Sequence, residues 1–178
     1  EAGVIQDAKF ITADPGKKNS GMNDRGRGEP SSRNEDGSWT KKGKKSIFGY
    51  KMHTKMDTKT KIITCMGVST AKTHDGKVDL ANEDEIVYRD RGYSGCGTRA
   101  KGDGTMKRGN LKPHEELRNK RITKLRCRGE HPYGIMTRMF KAGHTRLTEL
   151  HRVYTQQTFV CIAYNLHRLN FLLKKAVA

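Results

Sequence analysis

The sequence predicts an α/β domain, and three observations carry that expectation. Runs rich in β-branched and aromatic residues, at positions 3–12, 47–56, 61–68 and 86–88, fall in the first half and read as strands. Helical patterns fill the second half, from Pro113 onward and again over residues 147–173. Length is the third: 178 residues bury one ordinary core, so residues 1–178 are expected to form a single domain. Hydrophobic residues make up 33% and the mean hydropathy is -0.86, which makes that core modest and its loops polar.

Glu1 is not a methionine and the chain enters a strand at once, so an upstream N-terminal region is expected to be missing. The first strand carries Asp7 in its middle, where an acid rarely sits without a partner. Residues 14–38 contain only Met22 from the apolar set and read as a flexible polar insertion. The segment Asp57-Thr58-Lys59-Thr60 is polar enough to turn a hairpin between the next two strands. The strand at 86–88 ends just before Asp90. Residues 91–110 are Gly-rich and basic, with a further short strand expected at 105–107.

Pro113 suits a first helical turn, and Glu115 and Glu116 favour its positive end. Arg118, Lys120, Arg121, Lys124, Arg126 and Arg128 follow, leaving Leu117, Ile122 and Leu125 to pack. Pro132 lacks an N–H and its ring crowds the carbonyl of Arg128, while Gly129 weakens any helix through it. A second helix is therefore expected to begin, or to kink sharply, near Glu130. On it Glu130, Tyr133, Gly134 and Thr137 share one face, and Ile135, Met136, Met139 and Phe140 offer apolar contacts. Residues 147–173 read as one long or two shorter helices, with 159–164 apolar around most of the circumference and central. No internal repeat is evident.

Lys and Arg total 36 against 19 Asp and Glu, a net charge of +17. That excess is the footprint of a nucleic-acid binder. A membrane surface would call for an amphipathic basic helix, and a span for roughly 20 apolar residues; neither is present. The four cysteines form no Cys-x-x-Cys pair, which excludes zinc-ribbon and redox motifs and suits reduced thiols in the cytosol. Cys127 with His131, or His144 with His151, lacks the second pair that a zinc site needs. Gly37 and Gly43 enclose the wrong spacing for a phosphate-binding Walker loop.

Three acids on separate elements, Asp7, Asp90 and Glu130, could converge on two divalent cations. Carboxylate oxygens are the hard ligands that Mg²⁺ and Mn²⁺ prefer, and two such ions assist the attacking and leaving oxygens of phosphoryl transfer. Asp14 is the alternative to Asp7, but it precedes Pro15 and suits a turn. His74 and Asp75 could assist a metal or DNA, or simply cap the following segment. Lys41, Lys42, Lys44 and Lys45 could grip phosphates while Trp39, Phe48 and Tyr50 stack on bases, or guard a hairpin edge. Arg91, Arg118, Arg121 and Arg138 could line a DNA path, and His131 could touch the scissile phosphate or orient Glu130.

Four stretches occur in a fixed order: residues 39–53 from Trp39 through the lysines to Phe48-Gly49-Tyr50 and His53; residues 69–77 around His74-Asp75-Gly76; Val87-Tyr88-Arg89-Asp90-Arg91-Gly92-Tyr93; and Glu130-His131-Pro132-Tyr133-Gly134. In that order they resemble the DDE transposases of the IS-five insertion-sequence family. The resemblance runs from Gln6-Asp7-Ala8 to Ala163-Tyr164-Asn165-Leu166, with Gly129 standing where the family usually has an apolar residue. It implies an RNase H-like (retroviral-integrase-like) fold, a central mixed sheet flanked by helices, with Asp7, Asp90 and Glu130 as the catalytic, metal-holding triad. It also implies DNA as partner, at insertion-sequence terminal repeats and target sites, a homodimer on that DNA, and a cytoplasmic, nucleoid-associated place in a prokaryote. The expected activity is Mg²⁺- or Mn²⁺-dependent strand cleavage and transfer of the freed 3'-hydroxyl. The alternatives are an inactive DNA-binding derivative and a nuclease without strand transfer.

Overall fold

The computed structural model describes residues 3–16 and 34–177. Residues 17–33 of the expected polar insertion lie outside the described residues. The order of strands is β1 (Val4–Ala13), β2 (Ser38–Lys42), β3 (Lys45–Asp57), β4 (Ile63–Thr70), β5 (Ile86–Arg89) and β6 (Gly102–Thr105). Helix α1 (Pro113–Phe140), the two-residue β7 (His144–Thr145) and helix α2 (Leu150–Val177) follow. Short 3₁₀ turns stand at Asp75–Lys77 and Arg91–Tyr93.

The sheet is mixed. β3 runs antiparallel to β1, β2 and β4, and β5 lies parallel between β1 and β6. Asp57 makes the β3–β4 hairpin: its Oδ1 accepts from the N–H groups of Lys59 and Thr60 and from the Thr60 hydroxyl. On the side of β1 away from β3, β5 pairs only with Val4 and Ile5, and β7 only with Thr12 and Ala13. Gln6 to Ile11 have no strand on that side, which leaves an opening where the sheet changes partners. In open α/β sheets such a point, at the carboxyl ends of strands, is where ligands are taken up.

Period-two alternation sends Ile5, Asp7, Lys9 and Ile11 to one face, in register with Met56, Thr54, Met52 and Tyr50. The apolar members of this set are fully buried against both helices, in one core with Tyr133, Met136, Val153, Val160, Cys161 and Tyr164. Asn165 pins α2 to the start of β4: its side chain accepts from the Ile63 N–H and donates to the Ile63 carbonyl.

Several expectations are corrected. α1 continues unbroken through Gly129 and Pro132. Tertiary contacts outweigh the local cost. Gly129 rests on the strands, with room for a Cβ only 3.0 Å from Ile5 and 3.5 Å from Met56, and Pro132 is buried. The Tyr133 hydroxyl donates to the Asp7 carbonyl and is 2.6 Å from the Thr54 hydroxyl. The strand expected at 105–107 lies earlier, at Gly102–Thr105, because its register follows β5. Residues 150–177 form one helix, and its 159–164 segment is only half central. Val160, Cys161 and Tyr164 are buried, whereas Phe159 and Ile162 face outward, since the sheet covers only one side of α2. Met139, likewise, is exposed.

Candidate active site

Asp7 is an acid set in an apolar strand face. Its Oδ1 accepts from the Ala8 N–H at 2.9 Å, and its Oδ2 lies 3.4 Å from the Arg126 guanidinium on α1. Burial is the largest influence and pushes its carboxyl up to about 6. Arg126 and the Ala8 N–H pull it down, and Asp90 and Asp75 push it up again. Loss of hydration thus outweighs one long ion pair.

Asp90 arrives by register. Ile5 pairs with Tyr88 in parallel strands, so Asp7 and Asp90 each lie two residues further along. There the chain leaves β5 for the turn Arg91–Tyr93, and Asp90 caps it by accepting from the Gly92 N–H at 2.7 Å. Gly92 suits the position because a Cβ there would stand 2.9 Å from Asp90 Oδ1 and 3.7 Å from Asp75 Oδ2.

Glu130 lies on α1 one turn beyond Arg126. Its side chain is exposed and, among the described residues, makes no hydrogen bond or ion pair. Among those residues no three Asp, Glu, His or Cys side chains stand close enough together to hold a metal ion. Asp90 and Asp75 both act on the Asp7 carboxyl, and Glu130 is carried by the adjoining helix.

In the sequence Asp75 reads, with His74, as an aid to metal or DNA or as a cap, and stays outside the triad. His74 does cap the turn, its Nδ1 accepting from the Gly76 N–H. Asp75, however, pairs with Lys51, whose Nζ is 2.7 Å from Oδ1 and 8% exposed. The contact is close without the alignment of a hydrogen bond, and Lys51 also donates to the Thr73 carbonyl. The available signal was Lys51 itself, a lysine amid the run Phe48-Gly49-Tyr50-Lys51-Met52 that reads as a buried strand and so calls for a counter-charge.

The basic candidates divide into two kinds. Lys41, Lys42, Lys44 and Lys45 are exposed on the β2–β3 hairpin beside Trp39, which is 61% exposed and stacks edge-on against Phe48. Arg91, Arg121, His131 and Arg138 are exposed as well. Partial burial, then Lys61, Arg168 and Arg138, lower the pKa of His131. Arg118 is engaged differently: it donates to the carbonyls of Thr105 and Asp103 at 2.8 and 2.7 Å and ties α1 to β6. Asp14 is exposed and accepts from the Gly16 N–H in a turn.

A family described as the transposase DDE domain matches residues 1–166. The chain belongs to that family. No curated protein and no solved structure gives a significant match. Membership carries transposase function, with DNA as the molecule acted on. No helix of the described residues is long and apolar enough to cross a membrane.

Proposed function

We propose that this domain cuts DNA at the ends of an insertion sequence of the IS-five type and transfers the freed 3'-hydroxyl to target DNA. The observation that carries the reading is the approach of Asp7 and Asp90 at the opening of the sheet, beside the helix that bears Glu130. The strand order β4-β3-β1-β5-β6, antiparallel then parallel, supports the RNase H-like assignment. Divalent cations fit the site on two grounds. The donors are carboxylate oxygens, and Asp7 already holds a cation, the Arg126 guanidinium, at 3.4 Å. Asp7 and Asp90 would hold Mg²⁺ or Mn²⁺, with Glu130 joining them from α1 when DNA and ions are present.

Bound ions would supply Lewis acidity to the attacked phosphate. The protein's own part is positional. Tyr133 fixes the Asp7 backbone through its carbonyl, the Gly92 N–H orients Asp90, and Arg126 neutralises Asp7 until a cation replaces it. The hairpin lysines and the exposed basic residues of α1 would grip phosphates on either side. Two element ends must be brought together, so a homodimer on DNA is part of the proposal, as is a cytoplasmic, nucleoid-associated place in a prokaryote.

Cleavage and joining of terminal-repeat DNA under Mg²⁺ and Mn²⁺ tests it, with the wild type compared to Asp90→Asn and Glu130→Gln. Both variants should lose at least 100-fold in rate, about 2.7 kcal/mol of transition-state stabilisation. Equal activity in all three would overturn the triad. Cleavage without joined product would instead identify a nuclease, and binding without cleavage an inactive derivative.

A further inference from the structure

Two acids of the sheet opening have roles in the proposed function, and a third does not. Asp75 brings its Oδ2 to the same point beside Gly92 that Asp90 Oδ1 reaches, within 3.7 and 2.9 Å of it. Its Oδ1 is held by Lys51, a side chain 8% exposed on β3. A buried lysine that merely needed neutralising is served by one oxygen. The other faces a second carboxylate, an arrangement that costs energy unless a cation lies between them.

An independent observation points the same way. Tyr93 is fully buried and its hydroxyl has no hydrogen-bond partner among the described residues. Gln6 lies close by, but its Oε1 accepts from the Leu80 N–H and its Nε2 donates to the Val78 carbonyl, so neither is aligned with the phenol. Burial pushes the phenol's pKa far up, and Asp75, Asp7 and Asp90, in that order, push it further. The hydroxyl therefore sits in the field of all three carboxylates, and an orphaned buried hydroxyl costs stability unless a ligand supplies its partner. His53, fully buried beneath the same cluster, has a second orphaned atom, Nδ1, in the field of Asp75 and Lys51.

We propose that Asp75 is a further carboxylate of the cation site, presenting Oδ2 beside Asp90 while Lys51 holds Oδ1, with the Tyr93 hydroxyl facing the same ligand space. This rests on the metal-dependent reading above and adds a residue to it. Lys51 sets how much negative charge the site offers: paired, Asp75 contributes one oxygen; released, it contributes two.

Mn²⁺ binding to the full 178-residue chain without DNA, followed by electron paramagnetic resonance and calorimetry, provides the test. Asp75→Asn should weaken Mn²⁺ binding by about 10- to 100-fold, the range seen when groups supporting a metal site are removed. Asp90→Asn is the control for the underlying reading. Loss of affinity in Asp90→Asn with none in Asp75→Asn would overturn this inference alone, whereas wild-type affinity in Asp90→Asn would overturn the metal site itself. If Asp75→Asn leaves Lys51 unpaired and the protein unfolds, Lys51→Met and Lys51→Met with Asp75→Asn give the answer, because the pair is then removed as a unit. Lys51→Met should bind Mn²⁺ more tightly than wild type and the double variant more weakly than Lys51→Met. Equal affinities for those two variants would refute the role of Asp75.

Discussion

Asp7→Asn should stabilise the metal-free protein at neutral pH while changing it far less in acid. The Asp7 carboxyl stands at about 6 in the folded chain against 3.8 when unperturbed, so the folded state binds its proton more tightly than the unfolded state does. Its contribution is thus fully present below pH 3.8 and lost as pH rises through 6. At about 1.36 kcal/mol per pKa unit, the ionised group costs roughly 3 kcal/mol at pH 7 and above. Asn carries no charge to desolvate and keeps an oxygen for the Ala8 N–H. Urea unfolding of both proteins at pH 4 and pH 7.5, without divalent ions, reads the difference. The stability of the variant relative to wild type should be greater at pH 7.5 by about 2.5 kcal/mol, somewhat less than the full span because the lower pH lies close to the unperturbed value. Adding Mn²⁺ at pH 7.5 should narrow the gap by stabilising wild type alone. A difference independent of pH, or one of opposite sign, would mean that Arg126 outweighs burial and would refute the reasoning.

Tyr133→Phe should cost about 1–3 kcal/mol in the same unfolding assay, since it strands the buried Thr54 hydroxyl and frees the Asp7 carbonyl. DNA affinity should fall steeply as salt rises, and replacing Lys41, Lys42, Lys44 and Lys45 by Ala should flatten that dependence by about one unit of log–log slope for each lysine that touches a phosphate. An unchanged slope would remove the hairpin from the DNA path.

Much of the architecture was readable because it depends on local pattern. The β-branched and aromatic run around Asp7, the turn at Asp57 and the Pro113 start of α1 are short-range signals, and all three stand where the residues indicate. What escaped depends on partners distant in sequence. Pro132 would break an isolated helix, yet here it is buried in one whose docking on Ile5 and Met56 repays the lost hydrogen bond. β7 is two residues long and exists only because β1 has an edge to offer. Asp75 looked like a helix-capping neighbour of His74, and only the fold brings Lys51 and Asp90 to it. Arg118 is indistinguishable in sequence from its basic neighbours, although its guanidinium is committed to β6.

The unbroken α1 has a mechanical consequence. Its 28 residues span about 42 Å and are fastened at two levels, by Arg118 to the carbonyls of β6 and by Tyr133 to β1 and β3. Glu130 lies between the two fastenings, so its bearing is fixed by counting residues along a rod and no loop is available to correct it. One residue added between Arg118 and Glu130 would swing the glutamate about 100° around the axis relative to the Arg118 anchor. This stretch should therefore accept changes of side chain far more readily than changes of length.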